Sequence, residues 1–270
     1  MQILNRIFIH IERLSLNRIN WIKTFYINFR FFSLKDAIKL PIYVYGNVSL
    51  NSLSGNVRIL GEIRKGMIKI NVTKPFAPCI QTVNTQLVIQ GTITFKGPVM
   101  IGCGNKIAVS KGAYLELGEK VKITDMSIIY CANNIVIEND CTITHRCQII
   151  DTNNHYIADL RTMTIPNCSS SIKIGKNSWI CNNTSIFLGG ILPDNCIVCS
   201  NSLVNRDFSH LKHYSLIGGV PAKLIKENVC RVLSPKYEDE LINYYRHNKD
   251  VYIIPDDFDI TKYHNAEIFR

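Results

Sequence analysis

The chain has 270 residues, 46% of them apolar and 19% charged, with 15 Gly and 9 Pro. That is ample material for a packed core, in one large domain or two ordinary ones, and it excludes disordered, collagen-like and disulfide-stapled chains. The formal net charge of +10 attracts phosphate, nucleic acid or an anionic membrane face, and selects none of them.

Residues 1–45 mix Ile, Leu, Phe, Tyr and Trp with seven basic and two acidic side chains. No run in the chain approaches the roughly 18 apolar residues that span a bilayer. The start, MQILNRIFIHIERLSLNRINW, is interrupted by charges and lacks the continuous apolar stretch of a secretory signal. These features predict a cytoplasmic protein, at the inner face of the membrane if it meets a membrane at all. Its ten cysteines are then free thiols that fill small apolar spaces. Cys196 and Cys199 form a lone CxxC with no second pair at zinc-finger spacing. The basic 1–45 segment is expected to be a partly helical cap that packs across the open end of the following domain. Contact with an anionic membrane is its second role.

From residue 46 onward a period of six organises the chain. Ile89, Phe95, Ile101 and Ile107 form one register. Leu117, Ile123, Ile129 and Ile135 form another, and Ile137, Ile143 and Ile149 a third, shifted by two. After a break, Ile174, Ile180, Ile186, Leu192, Val198 and Val204 continue it. Two places before each of these stand Ile172, Ser178, Thr184, Gly190, Cys196 and Ser202, all small after the first. Neither a helix nor a simple alternating strand has this period. A short strand, a turn and another short strand do, and three such sides close a coil of about 18 residues. The aliphatics point inward and stack between coils. Asn, Asp, Gly and Ser crowd the turns, where they tolerate positive φ. A β-sandwich gives no reason for six successive aliphatics at one spacing.

The register stops at Ile149 and resumes at Ile174. The excursion loop 151–171 between them is long and polar, as functional loops on a regular scaffold are. It carries His155, whose neutral imidazole can take a proton from an attacking hydroxyl. Asp151 stands four residues earlier. It either orients His155 through one ring nitrogen or caps a turn. His145 either lines a cleft or covers an outer face. Residues 228–270 leave the repeat, with EDELINYYRHNK as a short amphipathic helix and VYIIPDDFDI as an extended piece.

The stretch IKIGKNSWICNNTSIFLGGILPDNCIVCSNSLVNRDFSHLKHYSLIGGVPAKLI resembles the C-terminal half of hexapeptide-repeat acyltransferases. The aliphatic repeat, the Pro-containing coil, Asn205-Arg206 in place of a Thr-Lys pair and the closing Gly219-Val220-Pro221-Ala222-Lys223 carry the resemblance, which covers residues 86–227. INWIKTFYINFRFFSLKDAIKLPIYVYG more loosely resembles the leader of polysaccharide-associated O-acetyltransferases. The resemblance implies an all-β solenoid, a left-handed parallel β-helix over residues 46–227, with the N-terminal cap and a short C-terminal helical tail. It implies acetyl-CoA as acyl donor, a sugar or saccharide acceptor and a homotrimer; no metal is expected, because His145 and His155 have no third partner at suitable spacing, and no nucleic acid, because the basic residues follow no reader motif. His155 becomes the catalytic base with Asp151 behind it. Asn182 and Ser200 approach the donor's pantetheine arm from equivalent corners, followed by Asn205 and Arg206, while Lys223 and Lys226 meet its phosphates. A backbone N–H near Gly189 or Gly190 faces the oxyanion, and Trp179, pointing outward, lies at a subunit interface. Cys181 and Cys199 stand where the family has Gly, so a positive φ there costs more. O-acetylation of a sugar in surface-polysaccharide synthesis is the leading reading. N-acetylation of an amino sugar or nucleotide-amino sugar is its variant, with a metal-dependent hydratase and a non-enzymatic scaffold behind.

Overall fold

The computed structural model describes residues 18–73 and 83–264. Residues 1–17, the start of the basic segment, lie outside the described residues. Strands, numbered in chain order, fall into three sheets. The first holds β1 (Ile42–Val44), β4 (Ile68–Val72), β7 (Val99–Gly102), β10 (Val121–Ile123), β13 (Thr142–Ile143), β16 (Trp179–Ile180), β19 (Ile197–Val198), β21 (Leu216–Gly218) and β22 (Lys223–Lys226). The second holds β2 (Val48–Ser52), β5 (Thr85–Ile89), β8 (Lys106–Val109), β11 (Ile128–Cys131), β14 (Gln148–Ile150), β17 (Ser185–Phe187) and β20 (Leu203–Val204). The third holds β3 (Asn56–Ile59), β6 (Thr92–Phe95), β9 (Tyr114–Leu117), β12 (Asn134–Ile137), β15 (Ile172–Ile174) and β18 (Ile191–Leu192). Up to β20 the chain visits the three walls in rotation, and every pairing within a wall is parallel until β22 returns antiparallel to β21. The chain is thus a three-walled coil, one strand per wall per turn.

The aliphatic register forms its core. In the first wall Ile101, Ile123, Ile143, Ile180, Val198 and Ile217 stack in ladder positions. Ile107, Ile129, Ile149, Ile186 and Val204 do so in the second. All are buried, and each removes enough apolar surface to stabilise the fold by about 1.5–3 kcal/mol. Ser178, Thr184, Gly190, Cys196 and Ser202 are buried beside them. One register differs from the spacing. Ile135, six residues after Ile129, pairs with Leu115, while the partner of Leu117 is Ile137. Two extra residues are taken up in longer sides, where Ile135 fills a second inward position of β12.

Corners turn through single left-handed residues, among them Asn177 (φ 60), Asn183 (φ 58), Asn195 (φ 57) and Asn201 (φ 57). Asn accepts this region most readily after Gly. Cys181 and Cys199 do not have positive φ, because the left-handed residue lies two places later. The expected conformational cost at these cysteines is therefore absent. Gly175, in the equivalent place, is needed for close approach instead. A Cβ there would stand 2.5 Å from the carbonyl carbon and oxygen of Pro193 in the next coil.

The first helix, α1 (Trp21–Phe31), starts at Asn20, whose side chain accepts from the Lys23 N–H. A short α2 (Leu34–Ala37) follows. β1 is the open edge of the first wall, and an open edge leaves backbone groups unpaired. α1 supplies the partners. Asn28 donates from Nδ2 to the Ile42 carbonyl at 2.7 Å and accepts from the Ile42 N–H at 3.1 Å. Thr24 Oγ1 accepts from the Val44 N–H at 3.1 Å. At the other end a cis Val220–Pro221 bond reverses the chain into β22. A third helix, α3 (Pro235–His247), and a 3₁₀ turn at Ile260–His264 complete the tail. Among the described residues no helix is long and apolar enough to cross a membrane.

Candidate active site

The rotation of strands fixes where each functional side chain stands. Residues two places beyond the stacked aliphatics of the first wall lie at the corner leading to the second wall. The ladder Ile143, Ile180, Val198 therefore places His145, Asn182 and Ser200 in one column on three successive coils. Backbone bonds tie the column together. The Asn183 N–H donates to the His145 carbonyl at 3.1 Å, and the Asn201 N–H to the Asn182 carbonyl at 3.0 Å. The equivalent corners predicted for Asn182 and Ser200 are present, and His145 joins them rather than His155. The six-residue spacing already contained that signal, since His145 follows Ile143 as Asn182 follows Ile180.

The second column runs along the opposite edge of the second wall. Ile149, Ile186 and Val204 share its ladder, which places Asp151, Leu188 and Arg206 together. The excursion leaves here and returns to β15. Thr152 bridges Ser169, and the Asn153 N–H donates to the Cys168 carbonyl at 2.8 Å, so the loop departs as a paired stem. Beyond the stem, residues 153–167 are exposed. His155 lies on this exposed part, and among the described residues it makes no hydrogen bond. A ring so placed has both nitrogens free for a substrate.

Asp151 is fully buried. One carboxylate oxygen accepts from the Ala132 N–H at 2.7 Å and the other from the Asn133 N–H at 2.9 Å. Its carbonyl accepts from the Ser170 N–H at 3.0 Å. Both oxygens hold the corner after β11, and the backbone joins the two ends of the excursion. This is the turn-capping alternative, and among the described residues the carboxylate makes no hydrogen bond to His155. Buried N–H groups without partners are costly, so the carboxylate is drawn inward to them.

The remaining candidates divide between the two edges. Asn205 and Arg206 are exposed at the second column, where the Arg206 guanidinium lies 5.8 Å from the centre of the Phe208 ring. Lys223 and Lys226 are exposed on β22, opposite Gly218 and Leu216 in the first wall. The expected oxyanion donors are engaged. The Gly190 N–H donates to the Phe187 carbonyl at 2.9 Å, and the Gly189 N–H to the Ser170 carbonyl at 3.4 Å. In a single chain, therefore, the stem that carries His155 and the corner that carries Asn182 and Ser200 do not meet. They stand at opposite edges of one wall.

Within the chain the Trp179 ring has a partner of its own. Arg231 of the same chain lies over it, 4.3 Å from the ring centre. The tail is held by the Val229 N–H on the Tyr214 carbonyl at 3.0 Å and by a short contact between Asn177 and His264. No periodic pattern connects Trp179 with a residue so far along the chain. Burial pushes the Cys147 and Cys181 thiols near the first column up to about 11, which favours their protonated form at neutral pH. Among the described residues no group of three or more His, Cys, Asp or Glu could hold a metal ion.

No family model matches the chain. WbbJ of Escherichia coli K12, named for O-acetyl transfer in lipopolysaccharide biosynthesis, is 26% identical over 145 residues, which is 51% of this chain and 72% of WbbJ. The polysialic acid O-acetyltransferase of Escherichia coli O1:K1 is 24% identical over 143 residues, 53% of this chain and 43% of its own length. The crystal structure of NeuO, a polySia-specific acetyltransferase, is 18% identical, covers 76% of this chain and 93% of NeuO, and has a TM-score of 0.53. At that identity it shows the fold alone. Sequence relatives and fold together bear out what the repeat suggested: the chain is similar to the hexapeptide-repeat acyltransferases, O-acetyltransferases among them.

Proposed function

We propose that the protein transfers the acetyl group of acetyl-CoA to a sugar hydroxyl in surface-polysaccharide biosynthesis, with His155 as general base. The observation that carries the reading is an imidazole free of hydrogen bonds among the described residues, held on a stemmed excursion at the edge of a three-walled repeat. The names of the relatives supply the acyl chemistry and the class of acceptor. On this reading the coil winds left-handed, as in the family, and the protein works in the cytoplasm.

In the reaction, His155 removes the acceptor's hydroxyl proton as its oxygen attacks the thioester carbonyl carbon. The tetrahedral intermediate collapses with cleavage of the C–S bond. The imidazolium returns the proton to the departing thiolate, so the products are an acetyl ester and free coenzyme A. No metal is required in this scheme. Asn182 and Ser200 bond the extended pantetheine arm along the first column. Arg206, Lys223 and Lys226 neutralise its phosphates, and Asn205 adds a polar contact.

A homotrimer unites the two edges. Around a threefold axis, the excursion of one protomer reaches the first column of its neighbour, so that His155 and the donor's arm face one another between chains. The exposed apolar side chains of the excursion support this. Tyr156, Ile157, Leu160, Met163 and Ile165 are 65–81% exposed in the single chain, more apolar surface than a loop leaves in water without a partner. The test is to incubate the protein with acetyl-CoA and a panel of sugars and nucleotide sugars while following thiol release. Release that depends on a sugar hydroxyl supports the reading. Release only with amino sugars assigns N-acetylation, and none with any acceptor contradicts it.

A further inference from the structure

We propose that the outward face of α1 seats the protein on an anionic lipid surface, with the first coil towards the membrane. Capping the β1 edge uses one side of the helix, where Thr24, Ile27 and Asn28 are buried. The other side carries Trp21, Ile22, Phe25, Tyr26 and Phe29. Ile22 is 84% exposed and the four aromatics are each about half exposed. Their rings run along the helix, Trp21 to Phe25 at 6.0 Å and Phe25 to Phe29 at 6.3 Å between centres. A large side chain covers about 150–250 Å² when buried, so five left half open make an apolar patch on the order of 500 Å². That is the upper end for a surface without a partner.

Charge decides the occupant. α1 contains no Asp or Glu. Residues 18–70, which build α1, α2 and the first coil, hold nine Lys or Arg against two Asp or Glu, a surplus of seven within the chain's +10. One of those two acids, Asp36, is paired with Lys39 at 3.2 Å. A second copy of the same face would bring this surplus against itself. An anionic bilayer complements it, and Trp, Tyr and Phe are the side chains that settle at the headgroup level. Each Lys or Arg near such a surface strengthens binding about fivefold. Apolar insertion and a basic rim together give the two signals that stable peripheral binding needs. From β1 to β19 the first wall takes six strand steps of about 4.8 Å. The later corners would then stand about 30 Å from the lipid, clear of the headgroups. The proposal does not depend on the acyl-transfer reading.

The test is sedimentation of the full chain with vesicles of phosphatidylcholine, with and without one third phosphatidylglycerol. The anionic vesicles are expected to bind at least tenfold more protein than the neutral ones. Ile22→Glu/Tyr26→Glu, both exposed, is expected to lower that binding tenfold or more with an unchanged subunit number. Arg30→Glu/Lys35→Glu is expected to do the same without touching the apolar face, and it stands in if the first variant does not fold. Failure of the wild type to bind anionic vesicles would overturn the proposal. So would equal binding by the variants. A changed subunit number in the first variant would also overturn it, by assigning the face to contact between copies.

Discussion

Replacing Asp151 separates a structural carboxylate from a catalytic one. The side chain is fully buried and bonds the Ala132 and Asn133 N–H groups at 2.7 and 2.9 Å. A hydrogen bond to a charged acceptor contributes about 1.5–3 kcal/mol. Asn133 is exposed, so water replaces part of its bond after truncation. Asp151→Ala is therefore expected to cost about 2–4 kcal/mol. Asp151→Asn keeps one acceptor and turns an amide N–H towards the other donor, so about half of that is lost. Urea unfolding measures both. Amide exchange at Ala132 and Asn133 should quicken in the same order. Thiol release by the folded fraction should fall less than tenfold, with an unmoved pH profile. Wild-type stability in Asp151→Asn together with a rate loss of about a hundredfold or more would refute the argument, because that pattern belongs to a carboxylate orienting the base.

Three further outcomes follow from the packing. Gly175→Ala places a Cβ 2.5 Å from the Pro193 carbonyl; it should cost about 1–3 kcal/mol and lower the thermal midpoint, and an unchanged midpoint would show that the coils are not packed so closely. Asn28→Ala removes both bonds to Ile42, so exchange at the Ile42 and Val44 N–H groups should accelerate while that of the later coils stays slow; uniform exchange would contradict the edge-capping role. Docking of the tail should also weaken with acid. Burial holds the His264 imidazole below its ordinary value, against the opposing pull of Asp140. Because the unfolded tail takes up a proton first, docking is complete above the ordinary His value and is lost as pH falls from about 6.5. Burial raises Asp140, so its protonation at lower pH restores part of the loss. Exchange at the Leu233 and Ser234 N–H groups, both bonded to the Tyr263 carbonyl, reports the change, and His264→Gln should flatten it. Equal protection across that range in the wild type would contradict this assignment.

The core was legible because it is periodic. Six aliphatics at one spacing name the inward ladder before any coordinate is known, and the interruption after Ile149 marks the excursion. Ambiguity came where a local pattern had two meanings. Ile135 keeps the spacing of six and belongs to another ladder position, since a longer side can hide two extra residues. Asp151 has the spacing of an orienting carboxylate, yet unpaired N–H groups at residues 132 and 133 bind it from the neighbouring coil. Contacts between distant segments left no signal at all. Nothing in INWIKTFYINFRF says that Thr24 and Asn28 will satisfy a strand edge, and nothing near Trp179 announces Arg231. The candidate site was half legible for a related reason. The sequence names the residue types, but the rotation of strands decides which edge each one occupies, and that separates His155 from Asn182 and Ser200 within one chain.

The central claim is that the free imidazole on the excursion performs the proton transfer. His155 is exposed and bonds to nothing among the described residues, so its removal should leave the unfolding curve in place. Thiol release from acetyl-CoA by His155→Ala, measured with an acceptor that the wild type uses, tests this most directly. A fall of about a hundredfold or more with unchanged stability and subunit number is predicted; a rate equal to that of the wild type would contradict the account.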